Sequence, residues 1–75
     1  MPEKCAALID KMIEYRKARG LTQQELAEAT DLSQSVIARM ERKKVTPQID
    51  TLLKVLSALD CDLQIVPAVE SPPVK

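Results

Sequence analysis

Between residues 4 and 18 the apolar positions are Cys5, Leu8, Ile9, Met12 and Ile13, with Tyr15 beside them, while Lys4, Lys11, Glu14 and Lys17 fall between. Side chains three and four residues apart share one face of a helix, so this spacing predicts a first helix. Gly20, the only glycine, stands where a helix end takes a left-handed residue, and the helix is expected to stop there. Thr22-Gln23-Gln24-Glu25 follows as a T-x-x-E capping box. In such a box the Thr22 hydroxyl accepts from the Glu25 N–H and the Glu25 carboxylate accepts from the Thr22 N–H. Leu21, just before the cap, is placed for a hydrophobic staple onto Leu26. Ser33 is expected to cap a third helix over Gln34–Arg42, which leaves Thr30, Asp31 and Leu32 for the turn. Two short helices joined so tightly make a helix-turn-helix. Leu26 and Ala27 should face inward from the second helix, met by Ile37 and Met40 from the third.

Thr46-Pro47 is expected to open a fourth helix, with threonine as cap and proline at the first helical position. Ile49, Leu52, Leu53, Leu56 and Leu59 form the cleanest apolar stripe in the chain and should close the core as its lid. This helix should end near Leu59 or Asp60. The period then changes, because Cys61, Leu63 and Ile65 alternate with Asp62, Gln64 and Val66 up to Pro67. Alternation of that kind predicts a short strand. A single strand has no ladder partner within the chain, so Leu63–Val66 is expected to pair with the same segment of a second copy across a two-fold axis. A fifth short helix or an irregular end are the other readings of this stretch. Residues 67–75, with Pro67, Pro72 and Pro73, are expected to be a disordered tail, leaving residues 1–66 as one domain.

A chain of 75 residues with Tyr15 as its only aromatic must build an aliphatic core, which suits helices better than a sandwich or barrel. The expected fold class is therefore all-α, a compact four-helix domain with a short C-terminal strand available for pairing across a dimer. At this size a core is modest, and oligomerisation is a common source of added stability. No signal-peptide pattern or membrane-length apolar run is present, so the expected location is cytoplasmic, with no membrane partner.

Formal net charge is +0, so bulk composition does not announce a nucleic-acid binder. Distribution changes the picture. Residues 39–44 carry Arg39, Arg42, Lys43 and Lys44 against Glu41 alone, whereas residues 45–75 carry Lys54 and Lys75 against Asp50, Asp60, Asp62 and Glu70. Local potential decides contact with phosphates, although basic residues at a helix end also simply complement its dipole. Cys5 and Cys61, with no histidine in the chain, make neither a zinc site nor a disulfide framework and are expected to be free, at least half-buried thiols. Nothing argues for a redox role. No cofactor and no enzyme activity are expected. There is no nucleophile elbow or phosphate loop, and Glu25, Glu28 and Asp31 fall on a solvated helix edge.

The candidate chemistry lies on the third helix. Gln34, Ser35 and Arg39 share its broad outward face, and amide, hydroxyl and guanidinium groups are those that read base edges in a major groove. The sequence thus points to a small double-stranded-DNA-binding module. Three segments then resemble the phage-repressor-like (Cro/C1-type, XRE-type) helix-turn-helix family: G-L-T-Q-x-E-L-A at Gly20–Ala27, S-Q-S-x-I-x-R-x-E at Ser33–Glu41, and P-x-x-x-T-L-L-K-x-L-x-A-L at Pro47–Leu59. The resemblance covers Leu8–Leu59.

It implies a lambda-repressor-like bundle of four or five helices whose third helix lies in the major groove. By position, it implies that Gln23 grips a phosphate, that Gln34 and Ser35 touch base edges, and that Arg39 does so one turn on. Lys43 and Lys44 fall in the loop that runs beside the DNA backbone, and Arg16 and Glu41 match a partly buried ion pair. The bland alternatives are a solvated Gln23, a Ser35 that only assists its cap, a packed Val36 and an Arg42 that only meets the helix dipole. The chain departs from the family pattern in having Asp31 where a turn glycine is common, Arg42-Lys43-Lys44 where R-G-K is common, and the Cys61–Val66 segment in place of a fifth helix. The function implied is a homodimeric repressor on an inverted repeat, similar to stand-alone regulators and to antitoxins that have a toxin partner. The rival is a protein-interaction adaptor that keeps the fold without specific DNA binding.

Overall fold

The computed structural model describes residues 1–67. Within them the chain forms α1 (Glu3–Ala18), α2 (Gln23–Thr30), α3 (Gln34–Glu41) and α4 (Ile49–Ala58). The expected four-helix, all-α architecture is thus present, and there is no strand among the described residues. Cys61–Pro67 carries no regular structure within one copy. The expected tail from residue 67 lies, apart from Pro67 itself, outside the described residues.

All four helices end in the same way. The residue after the final turn takes the left-handed conformation: Gly20 at φ 72°, Asp31 at 62°, Lys43 at 62° and Asp60 at 56°. Each closure is a Schellman motif, in which two orphan carbonyls near the helix end are satisfied by two later N–H groups. After α1 the Leu21 N–H reaches the Arg16 carbonyl at 3.1 Å; after α2 Leu32 reaches Ala27 at 3.0 Å. After α3 Lys44 reaches Arg39 at 3.0 Å, and after α4 Cys61 reaches Leu56 at 2.8 Å. Only one of the four positions is glycine. The backbone therefore demands a costly conformation of Asp31, Lys43 and Asp60, and aspartate tolerates it better than lysine.

The core is where the four helices meet. Ile9 and Met12 of α1, Leu26 and Ala27 of α2, Ile37 and Met40 of α3, and Leu52, Val55 and Leu56 of α4 are buried together with Leu59. Leu21 packs against the edge of this cluster, as expected of the residue before the α2 cap. Thr30 is buried as well, and its hydroxyl donates to the Leu26 and Ala27 carbonyls at 2.8 and 3.1 Å. That local bond satisfies a polar group the core could not otherwise accommodate.

Two expectations for α4 need correction. The helix starts two residues later than expected, with Gln48 as N-cap (φ −70°, ψ 156°) and no side-chain cap bond. Thr46 and Pro47 precede the helix. Its buried edge also differs, because Val55 is fully buried while Ile49 is 64% and Leu53 42% exposed. Leu53 lies about 100° round the helix from Leu52, beyond the reach of a core contacted by a single edge. The apolar stripe is wider than the surface it covers. On α1, Tyr15 likewise stands 52% exposed rather than packed.

Candidate nucleic-acid interface

The two capped helices expected from the sequence hold the candidate interface. The Thr22 hydroxyl accepts from the Glu25 N–H at 3.0 Å, and the Glu25 carboxylate accepts from the Thr22 N–H at 2.9 Å, so the capping box is complete. Ser33 accepts from the Val36 N–H at 3.2 Å and starts α3. Asp31 turns the chain between them in the left-handed conformation usually assigned to glycine. Ile37 and Met40 anchor the inner edge of α3 in the core, and half-buried Val36 packs against that core, not outward. The opposite face presents Gln34, Ser35 and Arg39 to solvent, with Arg42 and Lys44 exposed just beyond it.

A polar chain that starts from a largely buried ion pair runs out to that face. Arg16 donates to Glu41 through Nε at 2.7 Å and Nη2 at 2.9 Å, and through Nη1 to the Leu21 carbonyl at 2.7 Å. The two side chains are only 10% and 6% exposed, so this is a bidentate, largely desolvated pair tying α1 to the end of α3. Gln23 extends it: its Nε2 donates to Glu41 Oε1 at 3.0 Å, and its Oε1 accepts from Gln34 Nε2 at 3.4 Å. A carboxylate can only accept, so Glu41 decides which end of the Gln23 amide faces it. That choice turns the Gln23 carbonyl toward the Gln34 amide nitrogen. Among the described residues no buried side-chain nitrogen or oxygen lacks a partner.

Of the six residues singled out from the sequence, Gln23, Gln34, Ser35 and Arg39 are gathered along α2's first turn and α3. Gln23 is not a merely solvated first-turn residue, since both ends of its amide are engaged. Ser35 is exposed, with its hydroxyl 3.4 Å from that of the cap, Ser33. Lys43 and Lys44, adjacent in sequence, diverge. Lys44 is exposed, whereas Lys43 Nζ lies 2.6 Å from the Asp10 carboxylate of α1. Three contacts carry no local sequence signal: Asp10 with Lys43, Gln23 with Gln34, and Arg19, just after α1, with Asp60 after α4 at 2.6 Å. Each joins residues brought close only by the folded backbone.

Comparison with known proteins agrees with this geometry. A family model described as helix-turn-helix matches residues 12–66. An uncharacterized HTH-type transcriptional regulator of Haemophilus influenzae is 41% identical over 61 residues, 81% of this chain and 62% of that protein. The immunity repressor protein of Bacillus phage phi105 is 41% identical over 51 residues, covering 68% of this chain and 35% of the repressor. The HTH-type transcriptional regulator PuuR of Escherichia coli is 38% identical over 53 residues, 71% of this chain and 29% of that protein. This chain thus spans less than two thirds of the length of these relatives. Among solved structures, a toxin–antitoxin module from Streptococcus pneumoniae superposes with a TM-score of 0.72 at 44% identity, covering 88% of this chain and 72% of that one. Capping box, left-handed turn, exposed polar face and family match converge: the chain belongs to the helix-turn-helix family of the phage-repressor-like type.

Proposed function

We propose that the protein is a sequence-specific, double-stranded-DNA-binding transcriptional regulator that represses as a homodimer and acts by binding, not catalysis. The observation that carries this reading is the α3 face, where Gln34, Ser35 and Arg39 stand exposed on a helix whose other side is locked into the core. A glutamine pairs bidentately with adenine and an arginine with guanine, each contributing roughly 1–3 kcal/mol of discrimination. Lys44, and Gln23 at the N-terminus of α2 through the second hydrogen of its amide nitrogen, would meet the flanking phosphates. A cytoplasmic location fits this role.

A dimer would set two α3 helices into successive major-groove turns about 34 Å apart, so the operator would be an inverted repeat. Supporting the dimer are apolar side chains that one copy leaves uncovered: Leu63, Ile65 and Val66 are 38%, 102% and 68% exposed. Ile49 and Leu63 also border an apolar groove of about 270 Å³ between α1 and the start of α4. Pairing of Leu63–Val66 with the same segment of a second copy would set Leu63 and Ile65, which share one face of such a strand, against their counterparts and complete the strand expected from their alternation. The likeness to a toxin–antitoxin module supports an antitoxin role, with a toxin as additional partner.

Selection from a randomised duplex library at two salt concentrations tests the reading. Enrichment of an inverted repeat that weakens steeply with salt is the expected result. Absence of retention at low salt would overturn it in favour of a protein-interaction adaptor, a role compatible with the zero net charge. Replacing Gln34 and Arg39 by alanine separates the two, because an adaptor would keep its partner affinity.

A further inference from the structure

The two lysines after α3 differ in kind, although they are neighbours in sequence. Lys43 occupies the left-handed closing position of α3, with φ 62° and its N–H bonded to the Met40 carbonyl at 3.0 Å. Lys44 is fixed next to it by its own N–H, bonded to the Arg39 carbonyl at 3.0 Å. This closure fixes the backbone at both residues, so their side chains leave in different directions. Lys43 points to α1, where Nζ meets Asp10 at 2.6 Å, and the two side chains are 35% and 56% exposed. Lys44 is exposed, with no ion-pair partner among the described residues.

We infer that Asp10 withholds Lys43 from the DNA backbone, acting as an intramolecular stand-in for a phosphate, so that Lys44 but not Lys43 contributes to DNA binding. This rests on the DNA-binding reading above. The carboxylate on α1 takes the place of a phosphate oxygen, which removes one basic group from the count of neutralised phosphates. Asp10 is therefore a positioning residue that moderates affinity without touching DNA. An exposed ion pair of this kind is weak, so its removal should not unfold the chain.

The test measures binding to the selected operator against salt for the full chain, Asp10→Asn, Lys43→Ala and the double variant, with Glu14→Gln as a control for loss of one acidic charge elsewhere on α1. Each phosphate neutralised adds about 0.9 to the magnitude of the logarithmic salt slope. Asp10→Asn is expected to tighten binding several-fold at low salt and to steepen the slope by about 0.9 per protomer. Lys43→Ala alone should leave the slope unchanged, and in the double variant the gain should vanish. A flatter slope for Lys43→Ala alone would overturn the inference, making Lys43 a direct phosphate contact. So would a gain from Asp10→Asn that survives in the double variant, or an equal gain from Glu14→Gln, since both would reflect general charge. Binding by neither the parent chain nor Asp10→Asn would overturn the DNA reading itself along with this one. Binding by both with equal slopes would overturn this one alone.

Discussion

Glu41 is the residue on which the most depends. It accepts both arms of the Arg16 guanidinium and the Gln23 amide, so its loss would leave a buried guanidinium unpaired and release Gln23 and Gln34 together. Glu41→Ala is expected to lower stability by about 3–5 kcal/mol, read as a lower urea midpoint. For a domain with a total stability of about 5–15 kcal/mol, that is a large share of what holds the fold together. A midpoint within a few tenths of the parent would show that the pair contributes little. Asp31 makes the opposite case. It is exposed and holds φ 62°, a conformation glycine adopts without cost. Asp31→Gly is expected to stabilise by about 0.5–1 kcal/mol, even though glycine loses more freedom on folding, and thermal unfolding would register a rise of a few degrees.

At the scale of elements, α2 and α3 are only eight residues each and would not persist alone in water. Their caps and their buried inner edges hold them. Removing the Thr22 hydroxyl by Thr22→Ala breaks one half of the capping box and is expected to cost about 1 kcal/mol, with hydrogen exchange accelerating first at the Glu25 amide. Equal exchange in both proteins would show that packing alone sets the end of the helix. On the outer edge of α3, Arg39→Ala is expected to weaken operator binding by about 1–3 kcal/mol and to relax preference at one base position, with stability unchanged. Lys44→Ala should instead weaken binding to all sequences alike and reduce the salt slope by about 0.9 per protomer. The ends of these helices were legible because capping chemistry is local: Thr22, Ser33 and Gly20 each announce a boundary within four residues. The start of α4 was not, because Thr46-Pro47 satisfies the local rule while the backbone places Gln48 at the cap.

For the whole molecule, the proposed dimer would supplement a small core. Ile49, Leu63, Ile65 and Val66 are exposed among the described residues, and the proposed strand pairing would cover the face that carries Leu63 and Ile65. If the proposed dimer forms through this segment, replacing Ile65 by lysine is expected to shift the sedimentation of the protein toward monomer. Operator affinity should fall far more than the folding of the monomer changes, since Ile65 is fully exposed in one copy. An unchanged dimer would move the interface elsewhere.

Sequence by itself determined the number and order of the helices, three of their boundaries, the inward residues Leu26, Ala27, Ile37 and Met40, and the outward polar set on α3. These follow from hydrophobic period and capping, which act over a few residues and are written in the chain. Likeness to a family pointed to the Arg16–Glu41 pair, which periodicity alone would have left as two surface charges. Tertiary structure alone decided that Val55 and not Leu53 completes the α4 edge, that Gln23 meets Gln34, and that Lys43 turns to Asp10 while Lys44 faces solvent. Those outcomes depend on where separate helices come to rest against one another, and a side chain's partner across that distance leaves no mark in its neighbours along the chain.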